Sequence, residues 1–354
     1  MRTLSVAAVQ MDANPAPTAE RLARAEHLVT EAARASAQLV VLPELFNTGY
    51  TYSDENHERA ERLGGQTATW MCDTAARLGV HLAGSLMLLE QGDIYNALLL
   101  FAPDGRVWRY DKSYPWGWER GYFREPHGGP RTVVAETDLG DFGLLICWDI
   151  AHLKLWQRYA GRVDMMVICS CPPQISGSAY HLSNGDQVTA GGMGSTMIAL
   201  KGSERRIFGD MLNQQAAWLG VPAVHTVGSG SIKTDLPSAR LTLLTYSLVA
   251  PRLLKHLSHV DRVQLACNMT PSTRVVGAGG AVLAELTQEQ GEAFTLAQVH
   301  LSEQKPLPRG PQPKSTVPGP VYFISDAWLP ALTRPVYRRG LQRIRSSRFL
   351  DSDA

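Results

Sequence analysis

The chain has 354 residues, 44% of them hydrophobic and 19% charged, with a formal net charge of +1. That length supports one large domain or two small ones with a substantial core, and the balanced charge gives no sign of a nucleic-acid or acidic-polymer partner. Five cysteines (Cys72, Cys147, Cys169, Cys171 and Cys267) are an odd number in a long chain, which argues against a disulfide framework and points to a reducing cytoplasm.

Leu4 to Met11 reads as a buried strand, entered directly from Met1 with no apolar stretch or cleavage site of a leader. Leu22, Ala25, Val29 and Ala32 have helical spacing within Thr18–Ala35, and Gln38–Leu42 is a second strand. Thr67–Leu78 reads as a helix stopped by Gly79. His81–Leu89, Ile94–Phe101 and Arg106–Tyr110 read as sheet, with Pro103-Asp-Gly105 turning between the last two. Thr132–Glu136 and Phe142–Cys147 follow. The second half offers a helix at Leu153–Tyr159, a strand at Met165–Cys169, a largely helical Met193–Leu219 and a strand at Pro222–Val227. Arg274–Val276 and Ala281–Leu286 form a hairpin, and Ala293–His300 is the last strand. This mixture predicts an α/β fold with parallel and antiparallel pairing. No window is apolar for long enough to span a bilayer; the nearest, Leu241–Ala250, ends at Pro251-Arg252. No metal spacing stands out, since Cys169-Ser-Cys171 has no histidines beside it.

Three strand ends carry chemistry. Val40-Val-Leu-Pro-Glu44 delivers a carboxylate, Trp108-Arg-Tyr-Asp-Lys112 an ammonium, and Gly143-Leu-Leu-Ile-Cys147 a thiol. A thiol near its ordinary pKa is mostly protonated at neutral pH and needs a base to become a nucleophile. Glu44 can take that proton and return it to a leaving amine. Lys112, with the backbone N–H of Trp148, can hold the oxyanion. Taken singly, Cys147 reads as a small buried hydrophobe, Lys112 as an exposed strand-end cation and Glu44 as a cap. Only the combination speaks for catalysis.

The segments Leu42-Pro-Glu-Leu-Phe46, Tyr110-Asp-Lys112 and Ile146-Cys-Trp-Asp149 resemble, in order and spacing, the three signature motifs of the nitrilase (carbon–nitrogen hydrolase) superfamily. The resemblance runs from about Leu4 to His300. It implies a four-layer α-β-β-α sandwich with two mixed sheets, Glu44 as general base, Lys112 as oxyanion-stabilising lysine and Cys147 as nucleophile. Lys112-Ser-Tyr-Pro-Trp-Gly-Trp-Glu119 is similar to the loop that supplies family amidases with a second glutamate, so Glu119 is the candidate for that role; the plainer reading is a solvated carboxylate beside Arg120. Phe46, Tyr114, Trp116 and Trp118 lie near the motifs and are candidate pocket walls. Cys171, at the end of the following strand, is a candidate pocket residue, with a structural thiol as the plainer reading. No cofactor or metal is required. The resemblance also implies a homodimer or larger homo-oligomer.

The chain departs from the family pattern in three places. His152-Leu-Lys154 replaces a usual Phe-Pro-Glu element, and Cys171-Pro-Pro173 stands where tryptophan or asparagine is common. An insertion at about 229–272 suggests two short amphipathic helices separated at Pro251, on Leu241, Leu244 and Leu248 and then Leu253, Leu254 and Leu257. A lid or an oligomer contact would account for it, and a membrane-surface role is a weaker option. The expected organisation is a hydrolase domain over 1–304 and a Pro-rich linker with an oligomer-wrapping tail over 305–354. The expected activity is hydrolysis of a small carboxamide or N-carbamoyl compound through a thioester. A nitrilase, an amide-forming acyl transferase and a silent scaffold are the alternatives.

Overall fold

Burial with a period of two organises the first half of the molecule. The computed structural model describes residues 2–190, 202–247 and 250–351. In β1 (Arg2–Asp12), Leu4, Val6 and Ala8 enter one core while Ala7, Val9 and Met11 enter another. A strand covered on both faces requires this. β2 (Leu39–Val41), β3 (His81–Glu90), β4 (Asp93–Phe101), β5 (Val107–Asp111), β6 (Val134–Thr137), β7 (Gly140–Ile146) and β8 (Met165–Ser170) follow. Next come β9 (Ala179–His181), β10 (Gln187–Thr189), β11 (Ala223–Ser229), β12 (Ser231–Asp235) and β13 (Gln264–Asn268). β14 (Arg274–Val276), β15 (Val282–Glu285) and β16 (Ala293–Leu301) complete the set.

Two mixed sheets, ordered β5-β4-β3-β2-β1-β16 and β6-β7-β8-β11-β14-β15, pack on one another. They meet edge to edge where Met11 pairs Gly228 and Asp12 pairs Ser229. Helices α1 (Thr18–Arg34) and α2 (Gln66–Leu78) cover the first sheet, and α3 (Leu153–Tyr159) and α4 (Leu212–Leu219) cover the second. The result is an α-β-β-α sandwich. Gly79 takes the left-handed conformation (φ 65°) that ends α2. β1, β2, β7, β8 and β11 are mutually parallel, and β5 returns to the same direction through two antiparallel steps. Their C-terminal ends therefore gather at one end of the sandwich, and Glu44, Lys112 and Cys147 follow β2, β5 and β7 there.

The segment 229–272 contributes more sheet than its leucines suggest. β12 and β13 pair with each other and, through β9, with β10 in a separate four-stranded sheet. Helix α5 (Ala239–Ser247) and a 3₁₀ segment at Pro251–His259 follow β12. Leu241, Leu244 and Leu254 face solvent, whereas Leu243 and Leu253 are buried. The buried face of α5 is thus one position away from the expected one; Leu248 lies outside the described residues. The expected helix from Met193 lies outside them over 193–201, and α4 ends at Gly220.

The tail packs on its own chain. Lys305 pairs with Asp164 and Asp141, Trp218 donates to the Gly310 carbonyl, and Gln215 donates to that of Pro313. Helix α6 (Leu329–Asp351) then lies against the turn at Gly117–Gly121. Among the described residues no helix is long and apolar enough to cross a membrane.

Candidate active site

Cys147 is the first residue past β7, and its φ is +50°. For a residue with a Cβ the left-handed region costs about 1–2 kcal/mol. That turn lifts the thiol off the strand line into a 3₁₀ turn, Cys147–Ala151. Asp149 holds the turn. Its Oδ2 accepts from Ile146 N (3.3 Å), Tyr110 Oη (2.7 Å) and Ser113 N (3.3 Å), and its Oδ1 accepts from Tyr114 N (2.8 Å). One buried carboxylate thereby ties the cysteine turn to the segment after Lys112. Burial pushes its pKa up to about 7, against the lowering effect of the Tyr110 bond.

Lys112 is fully buried between two carboxylates. Its Nζ donates to Glu44 Oε1 at 2.8 Å and to Glu119 Oε1 and Oε2 at 2.9 and 2.7 Å. Glu44 is fixed from behind: Asn96 Nδ2 donates to its Oε1 (2.7 Å), and Ser85 links Asn96 to the backbone of Leu45. Glu119 accepts from Tyr50 Oη (2.6 Å) and Trp116 N (2.8 Å). Among the described residues Glu44 Oε2 has no hydrogen-bond partner, and the charges of Glu44, Lys112 and Glu119 all act on the Cys147 thiol. Cys147 and Glu119 line one cavity, and Lys112 bridges Glu119 to Glu44.

Burial raises the pKa of Glu44, Lys112 partly offsets it, and Glu119 adds to it. Burial alone would lower Lys112, but the charges of Glu119, Glu44 and Cys147 outweigh it and hold the ammonium protonated. Burial and Glu44 push the Cys147 thiol up, while Lys112 pulls it back. The resting thiol is therefore protonated, and its proton has a carboxylate of raised basicity beside it.

A cavity of about 110 Å³ opens onto this cluster. Tyr50, Trp116, Glu119, Cys147 and Trp148 form its inner part; Glu204, Ile207 and Phe208 bring the second half of the chain to it, and Val321 brings the tail. Trp148 is pinned by the tail, since its Nε1 donates to Asp326 Oδ1 (2.8 Å) and Tyr322 packs against its ring. Leu329 fills the space beside Gly117, where a Cβ would lie 2.9 Å from Leu329 Cδ1.

Four expected wall residues are placed elsewhere. Phe46 follows Leu45, whose φ of +51° turns the chain, and its ring enters the α1–α2 core against Trp70 over the bare backbone of Gly84. Tyr114 stacks flat on His152 (ring centroids 3.4 Å apart, 5° between planes). Trp118 is wholly buried behind Trp116 and Tyr52. The Cys171 thiol points at Gly228 and Met269. Sequence reading missed Tyr50, Asn96, Glu204 and Asp326. Tyr50 alone had a local signal, an aromatic six residues after Glu44.

The carbon–nitrogen hydrolase family profile matches residues 5–189, more than half of the chain. The chain belongs to the carbon–nitrogen hydrolase family. It is 33% identical over 151 residues to a nitrilase of Pyrococcus abyssi, covering 41% of this chain and 56% of that protein. It is also 33% identical over 161 residues to the omega-amidase NIT2 of Danio rerio, covering 42% and 57%. The chain thus spans little more than half the length of these curated relatives. Among solved structures it is similar to a hydrolase of this superfamily from Xanthomonas campestris (TM-score 0.61, 17% identity, 86% of this chain and 92% of that one). It is likewise similar to an amidase from Nesterenkonia sp. (TM-score 0.60, 17% identity, 83% and 89%). At these identities the two structures speak for the fold, which is the four-layer sandwich expected from the sequence.

Proposed function

We propose that this carbon–nitrogen hydrolase cleaves small non-peptide carboxamides or N-carbamoyl compounds through a thioester on Cys147. The observation that carries the reading is the buried Lys112 ammonium held by Glu44 and Glu119, with Glu119 lining the same cavity as the Cys147 thiol. Cys147 Sγ attacks the amide carbon as its proton passes to Glu44. The developing oxyanion is held by Lys112 and the backbone N–H of Trp148. The tetrahedral adduct collapses, the C–N bond breaks, and Glu44 returns the proton to the departing nitrogen. Water then adds to the thioester with Glu44 taking its proton; the C–S bond breaks, the acid leaves and the thiol is restored. Glu119, bonded to Lys112, Tyr50 and Trp116, fixes the ammonium and faces the substrate nitrogen.

The test is ammonia release from matched amides and nitriles of the same carbon skeleton. Turnover of amides, abolished in Cys147→Ala, is the expected result. Turnover of nitriles alone, or amide turnover surviving in Cys147→Ala, overturns it. Amine acceptors added during turnover read acyl transfer as formation of a new amide.

A further inference from the structure

The wall of the cavity contributed by the second half of the chain carries one unexplained charge. Glu204 lines the cavity together with Cys147. Its Oε1 accepts from Ser176 N (3.2 Å), and its Oε2 from Ser176 Oγ and Ser203 Oγ (3.4 Å each). All three donors are neutral. The inner carboxylate, Glu119, is already matched by Lys112. Among the described residues no Lys, Arg or His lines the cavity, and none forms an ion pair with Glu204. The rest of the wall is mainly apolar, with Trp116, Trp148, Pro173, Ile207 and Phe208. A carboxyl group fixed only by neutral donors on an otherwise apolar wall is left for whatever enters to pair with.

We propose that Glu204 is a specificity-determining residue that pairs with a cation, an ammonium or a guanidinium, at the far end of the substrate. This rests on the amidase reading above. The scissile amide sits at Cys147, an aliphatic spacer lies along the tryptophan and phenylalanine wall, and the cation meets Glu204. A carboxylate-ended substrate would meet repulsion there with no compensating cation among the described residues. Discrimination of this kind is set by the transition-state affinity of one substrate relative to another.

Short aliphatic amides of equal length ending in methyl, ammonium, guanidinium or carboxylate test it, read as kcat/KM for ammonia release. A charge-assisted contact makes the cation-ended amides better than the methyl-ended one by about tenfold or more, mostly through KM. That ratio collapses in Glu204→Gln and in Glu204→Ala, and Glu204→Lys shifts the order toward the carboxylate-ended amide. Equal rates across the panel, or a ratio that Glu204→Gln leaves intact, overturns the assignment and leaves the amidase reading standing. A second arm uses no hydrolysis: neutral, cationic and anionic haloacetamides alkylate Cys147, followed by intact mass. If no amide is turned over yet the cationic reagent labels fastest and loses that advantage in Glu204→Gln, the charge selection holds and the hydrolase reading fails. Labelling in the order anionic, neutral, cationic overturns the selection independently of any activity.

Discussion

Replacing Lys112 with Met keeps the length of the side chain and removes its charge. In the wild type the ammonium makes three contacts of 2.7–2.9 Å with two carboxylates, and Glu44, Lys112 and Glu119 are each at most 2% exposed. Lys112→Met therefore leaves two like charges buried in one site with no cation. Breaking a buried pair in this way costs about 3–5 kcal/mol. Adding Glu119→Gln removes one of the stranded charges, so the double variant should recover about 1–3 kcal/mol of that loss. Urea unfolding followed by tryptophan fluorescence measures both, as shifts in midpoint at constant slope. The sign with pH is also fixed. In Lys112→Met the Glu44 carboxyl, already raised by burial, loses the ammonium that offsets it and holds its proton in the fold at pH values where the unfolded chain has released it. The variant is then closest to wild type at low pH and loses stability as pH rises. A loss below about 1 kcal/mol, or additive effects of the two substitutions, would refute the idea that the ammonium is what makes this buried charge cluster tenable.

Other expectations follow from individual bonds. Asp149→Asn turns one of two accepting oxygens into a donor facing backbone or phenol donors, so it should cost about 1–3 kcal/mol and lower kcat more than it raises KM; unchanged kcat would show that Asp149 does not link the cysteine turn to Lys112. Asp326 is pushed up to about 6 by burial despite the bond from Trp148, so its contribution to stability is present near pH 4 and is lost as pH rises through about 6. Asp326→Asn keeps an acceptor for Trp148 and should flatten the fall in urea midpoint between those pH values; an identical fall in the variant would contradict this. Tyr50→Phe removes the 2.6 Å bond to Glu119 and should lower kcat/KM by about tenfold, the worth of one charge-assisted hydrogen bond. Gly117→Ala meets Leu329 and a φ of +38°, so it should loosen the tail and speed proteolysis after residue 305; unaltered cleavage would contradict the close approach.

What was legible in the sequence had a local cause. The apolar run Leu4–Met11 located β1 as a buried strand, helical spacing located α1, and the glycines at 79 and 220 marked helix ends. Glu44, Lys112 and Cys147 were legible because each follows a strand, and strands running the same way bring such ends together. Phe46 and Tyr114 were misplaced because their directions depend on a left-handed residue at Leu45 and on a stacking partner at His152, which lies 38 positions further on. Glu204, Asp326 and Asn96 act across gaps that no window spans. The small sheet of β9, β10, β12 and β13 was missed for a related reason: its strands have three to five residues each, and their pairing joins segments on both sides of α4.

The central claim is that Cys147 becomes acylated while amide nitrogen departs. Acid-quenching the protein during turnover of its best amide, followed by intact mass and peptide mapping, reads this directly. The account predicts a mass gain equal to the acyl group on the peptide bearing Cys147, formed with one equivalent of ammonia or amine and absent in Cys147→Ala. Nitrogen release in the first turnover with no acyl group on Cys147, or an acyl group on Cys169, Cys171 or Cys267 instead, would contradict it.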